Sequence, residues 1–355
     1  MLSKLEYREK WGKQTTLPVS CVGFSPDGRY IAYGAGDGVT IALADDGRAV
    51  GTVQNYGTIS TALEWCRPGV LTCSFIDGTI VDVCFEKKQL YAYGLLAKGH
   101  CVEHLTVSRL RDMLASGSAS DIRIWRREGG SRWAHFSRLC SPKTFQDNMH
   151  AGVIISSIHW MDSTPGHLLV SYRHHGVQIW DTNSAIVVTS VLNTSTALGR
   201  SSLSPSQQYL AVVMNSGIDI HNIVSKLPGL SVPSLSGLDS PILFLHNGEA
   251  IIAGCDAGKL RLWRSSDGKR LQTLTYPGHE RVLTLAEYHR SHDRLFRVAT
   301  ASSQRVCVWE TVPLEVEELE GGPSTVRTTA LIVALLAIIA TAAFVGVPGP
   351  ILTGM

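Results

Sequence analysis

Histidine is the side chain best placed to bind a metal or move a proton near neutral pH, and this chain carries 13 of them. The densest groups are "HRSHD" (His289, His292, Asp293) and "RHHG" (His174, His175). Each offers two or three donors with no further ligand nearby in sequence, whereas zinc takes at least three from the protein. Both groups fall between strand-like runs, so they read as polar turn residues and no metal site is expected. "GAGDG" (Gly34 to Gly38) has the glycine content of a phosphate loop. It lies between two strand-like runs, however, and supplies no helix N-terminus to hold an anion. The chain contains no G-x-x-x-x-G-K-[ST], H-E-x-x-H or G-x-S-x-G pattern. No catalytic residue, cofactor or enzymatic activity is therefore expected. Asn193-Thr194-Ser195 matches a glycosylation acceptor, which a chain facing the cytosol would never present to the transferase.

Eight cysteines are scattered without a C-x-x-C pair, several inside apolar runs such as "VLTCSF" and "VDVCF". A free thiol behaves there as a small hydrophobe, and the pattern fits a reducing compartment. The opening "MLSKLEYREKWGKQ" is charged and has no apolar core of a secretory signal. Formal net charge is +2 over 355 residues, so no strong field points to nucleic acid, and none is expected as a partner.

The elements that must carry these residues emerge from internal repetition. "IRIW" ends at Trp125, "VQIWD" at Asp181 after Trp180, "LRLW" at Trp263 and "VCVW" at Trp309. Each alternates apolar and polar residues, the period of a half-buried strand. Weaker copies end at Ala42, Val83 and His221. The seven anchors are 41 to 46 residues apart, except for one gap of 55 between Trp125 and Trp180. That spacing is the period of a four-stranded propeller blade. Upstream of the anchors, "VGFSPDGRYIAYGAGDG", "LTVSRLRDMLASGSASD" and "LSPSQQYLAVVMNSG" repeat the order strand, polar turn, strand, small-residue turn. The expected fold is all-β, with seven blades of four antiparallel strands.

The tryptophan positions, the Trp180-Asp181 dipeptide and the Gly99-His100 and Gly278-His279 pairs resemble the WD-repeat β-propeller family over roughly residues 15 to 312. The resemblance implies binding of protein partners and a hydrogen-bonded tetrad of His, Ser or Thr, turn Asp and Trp within a blade. The third blade has His100, Ser116 and Trp125, but Ala119 stands where the turn Asp is expected. The resemblance also implies that an N-terminal strand closes the ring. Residues 4–11 ("KLEYREKW") are that candidate, and residues 313–321 ("PLEVEELEG") are the rival. Part of the 55-residue gap is expected to form an outer strand, "WAHFSRLC". The remainder is read as an extended basic loop with Arg126, Arg127, Arg132, Arg138 and Lys143, a candidate partner-binding element because long loops on rigid scaffolds often bind.

Beyond the repeats the composition changes. Residues 313–327 are acidic and then Gly/Pro/Ser-rich, the makeup of a flexible connection. Residues 328–347, opening at Thr328 and closing at Val347, carry no charge. As a helix they would rise about 30 Å, the thickness of a bilayer's hydrocarbon core. A helix apolar on every face needs lipid or a large protein interior, so a single membrane-spanning helix is expected, with Pro348 and Pro350 beyond it and residues 348–355 as a short tail. Arg327 flanks it on the propeller side, in keeping with the positive-inside rule. The reading is a tail-anchored protein with its propeller in the cytosol, and the uncharged end favours the endoplasmic reticulum over the mitochondrial outer membrane.

The leading functional expectation is a non-enzymatic, membrane-tethered scaffold that binds protein partners. The plan is also similar to the membrane-bound exchange factor that activates the small GTPase of coat-vesicle budding at the endoplasmic reticulum. A substrate receptor of a ubiquitin ligase is a third reading. Sequence fixes neither the partner nor the oligomeric state.

Overall fold

A computed structural model describes residues 5–36, 38–54, 58–86, 89–96, 101–129, 132–142, 150–194, 196–233, 237–255, 258–276, 279–290 and 295–313. The chain divides into two units, Met1–Pro313 and Leu314–Met355. The second unit, with residues 328–347, lies outside the described residues. Among the described residues no helix is long and apolar enough to cross a membrane.

The first unit is a ring of seven four-stranded antiparallel sheets. Strand β1 (Leu5–Gln14) precedes blade 1, which is β2 (Val19–Phe24), β3 (Tyr30–Ala35), β4 (Gly38–Leu43) and β5 (Ala49–Gln54). Blade 2 is β6 (Ser60–Arg67), β7 (Val70–Phe75), β8 (Thr79–Glu86) and β9 (Gln89–Leu96). Blade 3 is β10 (His104–Val107), β11 (Met113–Ser118), β12 (Asp121–Glu128) and β13 (Arg132–Leu139). Blade 4 is β14 (Ile155–Met161), β15 (His167–Tyr172), β16 (Gly176–Asp181) and β17 (Ile186–Leu192). Blade 5 is β18 (Leu198–Leu203), β19 (Tyr209–Met214), β20 (Gly217–Asn222) and β21 (Pro228–Pro233). Blade 6 is β22 (Ile242–Leu245), β23 (Ala250–Cys255), β24 (Lys259–Arg264) and β25 (Arg270–Thr275). Blade 7 is β26 (Thr284–Arg290), β27 (Leu295–Ala301) and β28 (Arg305–Pro313), completed by β1. All seven anchor positions fall on the third strand of a blade.

The N-terminal strand closes the ring. β1 runs antiparallel to β28, from Leu5 opposite Pro313 to Gln14 opposite Arg305, with a bulge between Glu9 and Trp11. Of the rival segment 313–321, Pro313 ends β28 and the rest lies outside the described residues. Buried Arg297 donates to Glu310 and to Asp45, each at 2.6 Å, and Lys10 reaches Glu310 at 2.8 Å, tying the closed blade to blade 1.

The hydrophobic core is divided among the junctions. Seven clusters of buried side chains each join one blade to the next. Trp125, Trp180, Trp263 and Trp309 all face the preceding blade. A blade therefore buries its apolar surface only against a neighbour, and the ring stands as a whole.

Local turn chemistry repeats with the blades. The hydroxyls of Ser25, Ser108 and Ser204 accept hydrogen bonds from the N–H groups of Tyr30 (2.9 Å), Met113 (3.1 Å) and Tyr209 (3.0 Å), five residues on in each case. The motifs "FSPDGRY", "VSRLRDM" and "LSPSQQY" thus share one first turn. At Gly28 the backbone takes φ +67°, and a side chain there would strike the ring of Tyr288 in blade 7. These first-to-second-strand turns share one end of the propeller, here the lower face, with the third-to-fourth-strand turns.

Candidate functional site

Of the repeat-signature residues, Trp125, Trp180, Trp263 and Trp309 are buried in the junctions between blades. Trp125 Nε1 donates to Ser116 Oγ at 2.9 Å, and Trp309 Nε1 to Thr300 Oγ1 at 3.0 Å. In both blades the hydroxyl lies two residues beyond the tryptophan's cross-strand partner. The same position is Val170 in blade 4 and Ala253 in blade 6, so Trp180 and Trp263 meet no hydroxyl there. His279 is exposed, and His100 lies outside the described residues. Asp181 accepts from the Asn183 N–H (2.9 Å) and Ser184 Oγ (2.7 Å), and these bonds, Ser184's foremost, hold its carboxyl below the usual range. Its work is to shape a turn.

The basic set does not form one loop. Arg126 and Arg127 lie on β12, and Arg132 and Arg138 on β13, which pairs with it; Lys143 is outside the described residues. Arg126 stacks over Phe136 at 3.7 Å and reaches Asn183 of blade 4 at 3.4 Å. Arg138 donates to Asp121 at 2.5 Å, a carboxylate that also receives Arg123 at 2.9 Å. Arg127 is turned inward, over the ring of Trp133 (4.3 Å) and 4.0 Å from Asp82 of blade 2. Buried Asp82 accepts from Trp133 Nε1 at 3.2 Å and from Thr72 Oγ1. Burial raises its carboxyl despite these donors. Arg127, Trp133 and Asp82 together latch blade 3 to blade 2. Of the four arginines only Arg132 is exposed with no side-chain partner among the described residues.

The histidine groups divide in the same way. His174 and His175 occupy the β15–β16 turn. His289 lies on β26, stacked on Phe296 at 4.3 Å, while His292 and Asp293 are outside the described residues.

The most concentrated polar chemistry lies in the central channel, a cavity of about 560 Å3 lined by the first strands of all seven blades. Glu64 on β6 and Glu287 on β26 are each pushed up to about 7 by burial. His104 on β10 is lowered to about 4 by burial and by the Arg200 guanidinium, and its Nε2–H donates to the Ile155 carbonyl at 3.3 Å. His159 on β14 is likewise lowered to about 4 by burial, with Nε2 3.2 Å from Ser201 Oγ. That Ser–His contact has the form of an activated nucleophile. A histidine of such low basicity is a weak proton acceptor at neutral pH, and no carboxylate hydrogen-bonds its other nitrogen among the described residues. Cys21 also lines the channel, and burial pushes its thiol up to about 11, leaving it protonated at neutral pH. Sequence reasoning passed over this lining because its members sit on separate strands about one blade period apart.

The family model described as "WD domain, G-beta repeat" matches residues 11–40. This stretch runs from the second half of β1 through β2 and β3 into β4. No curated protein matches the chain.

Proposed function

We propose that the chain is a non-enzymatic scaffold that binds protein partners through its propeller and is held at a membrane, propeller on the cytosolic side, by residues 328–347. The observation that carries the binding part is a closed seven-bladed ring whose first blade matches the WD repeat. Such rings are rigid, present many turns at fixed spacing, and serve generally as protein-interaction domains. The tether rests on the composition of residues 328–347, uncharged and long enough to cross a bilayer as a helix. A cytosolic propeller is also what the scattered free cysteines fit. The endoplasmic reticulum is the membrane this reading favours.

Carbonate-washed membrane fractions test the tether: the full chain stays in the pellet, and a chain lacking residues 322–355 does not. A full chain that washes off ends the tethering reading. Proximity labelling with the two forms then tests the scaffold. Protein neighbours that are common to both forms, and lost when the ring is opened by deleting residues 5–14, support it. Identical labelling from the opened ring removes it.

A further inference from the structure

The lower face of blades 3, 4 and 5 combines protruding aliphatic side chains with guanidinium groups of blade 3 that meet no side-chain partner among the described residues. In the β10–β11 turn, Ser108 Oγ donates to Asp112 (2.8 Å) and Arg111 takes φ +61°, which leaves Leu110 at the tip, 75% exposed. In the β16–β17 turn, Asp181 caps the Asn183 N–H and Ala185 takes φ +56°, presenting Ile186 at 60%. In the β20–β21 turn, Asn222 Oδ1 accepts from the N–H groups of Val224 (3.0 Å) and Ser225 (2.9 Å), and Lys226 takes φ +57°. Val224 and Leu227 stand out there at 73% and 63%. No other large apolar side chain among the described residues is so exposed. Leu17, Ile59, Ile76 and Ile154, the next in rank apart from Val188 of β17 and Tyr209 of β19, lie toward the opposite end of the blades.

The three turns form one surface. Arg126 reaches Asn183 from blade 3 to blade 4, the Ser163 N–H donates to Gln207 Oε1 from blade 4 to blade 5 (2.8 Å), and Lys226 Nζ returns to Thr189 (2.7 Å). Arg109, Arg111 and Arg132 flank Leu110 on the blade-3 side, exposed and with no side-chain partner among the described residues. The Arg127 N–H donates to the Asp112 carbonyl at 2.8 Å, which sets the end of β12 against the same turn. Counting Arg126, four exposed arginines face two carboxylates, Asp112 and Glu128, at this end of blade 3.

Aliphatic tips on separate turns make no concave pocket of the kind in which a protein hot spot is buried. They do suit a surface into which side chains can sink independently. Apolar tips backed by Arg and Lys are the makeup of interfacial membrane binding, in which the apolar groups enter the headgroup region and the cations meet anionic lipid. We infer that this face docks on an anionic lipid surface, with Leu110, Ile186, Val224 and Leu227 entering it and Arg109, Arg111 and Arg132 on lipid phosphates and carboxylates. The docking uses the propeller alone and does not rest on residues 328–347 spanning a bilayer.

The full chain is examined by hydrogen exchange on vesicles of phosphatidylcholine, with and without phosphatidylserine. Amides of residues 109–111, 183–186 and 223–227 are expected to slow only on the mixed vesicles, and the slowing to fade as salt is raised. Arg109→Gln with Arg111→Gln is expected to weaken that protection about 25-fold, about fivefold per arginine. Leu110→Asn weakens it on the apolar side, and an unchanged thermal transition shows that the ring is intact in each variant. Salt-resistant retention on pure phosphatidylcholine reports residues 328–347 separately, so the two readings fail independently. Turns that exchange alike on both surfaces, or a double arginine variant protected like the parent, overturn the docking and leave the patch to a protein contact.

Discussion

Gln272 of blade 6 grips the main chain of Tyr7 in both directions: its Oε1 accepts the Tyr7 N–H and its Nε2 donates to the Tyr7 carbonyl, each at 2.9 Å. One side-chain amide thus reproduces a ladder pair on the edge of the closing strand, next to the Tyr7 hydroxyl, which lies 3.1 Å from His246 Nε2. β1 is held to blade 6 as well as to its own sheet.

Replacing Gln272 by Ala removes both bonds. At about 1 kcal/mol each, the loss of stability is expected to be about 2 kcal/mol. The urea midpoint reads the total, and hydrogen exchange over residues 5–14 reads where the loss falls. An unchanged midpoint, with β1 protected as before, would show that the ladder to β28 suffices.

Asp82→Ala strips the acceptor from Trp133 and the counter-charge from Arg127, both turned into the junction of blades 2 and 3. Removing one partner from a buried pair costs about 3–5 kcal/mol, because the other is left uncompensated. Arg126→Ala, on the exposed side of the same strand, removes a surface stack on Phe136 and a long bond to Asn183 and is expected to cost no more than about 1 kcal/mol. Equal effects in denaturant unfolding would contradict the assignment of Arg127 to a latch.

Glu64 gives a pH signature. Its carboxyl titrates near 7 in the folded ring and has an ordinary value of 4.5. Between those values the folded chain keeps a proton that the unfolded chain has shed, so this group removes stability as pH rises through the window. Glu64→Gln is therefore expected to match the parent's thermal midpoint below pH 4.5 and to move ahead of it as pH climbs to 7. A constant difference across that range would refute the shifted carboxyl.

Hydroxyl partners should separate the blades. Thr300→Val leaves the buried Trp309 N–H unpaired, as Ser116→Ala does for Trp125. Each is expected to cost about 1–3 kcal/mol, measured by chemical denaturation. The converse change, Val170→Thr in blade 4, places a hydroxyl where Trp180 has none and is expected to cost less than either.

The fold was legible because a blade writes its pattern locally. A third strand alternates apolar and polar residues before its anchor, and a serine opens the first turn with a bond to the N–H five residues on. The latch was not legible, since Asp82 and Arg127 stand on different blades and nothing in "RIWRRE" distinguishes the inward arginine from its outward neighbour. Within the 55-residue gap the outer strand was legible as "WAHFSRLC", which β13 reproduces one residue earlier, but Arg126, Arg127 and Arg132 read as loop because the polar residues at the paired ends of β12 and β13 hide where each strand stops. The channel residues escaped for a related reason. Glu64, His104, His159 and Arg200 sit on the strands nearest the axis, where ordinary patterning would place apolar residues, and only ring closure brings them around one cavity.

The β1–β28 pairing also governs how the ring would respond to force. Leu5 lies opposite Pro313, so the two strands leave the ladder at the same corner of blade 7. Tension applied between those residues loads the pairs one after another, as in opening a zipper, and never shears the whole ladder at once. Under such a pull the first buried side chain to be drawn out is Tyr7, so the hold of blade 6 on that residue, by packing and through Gln272, is what the zipper meets early.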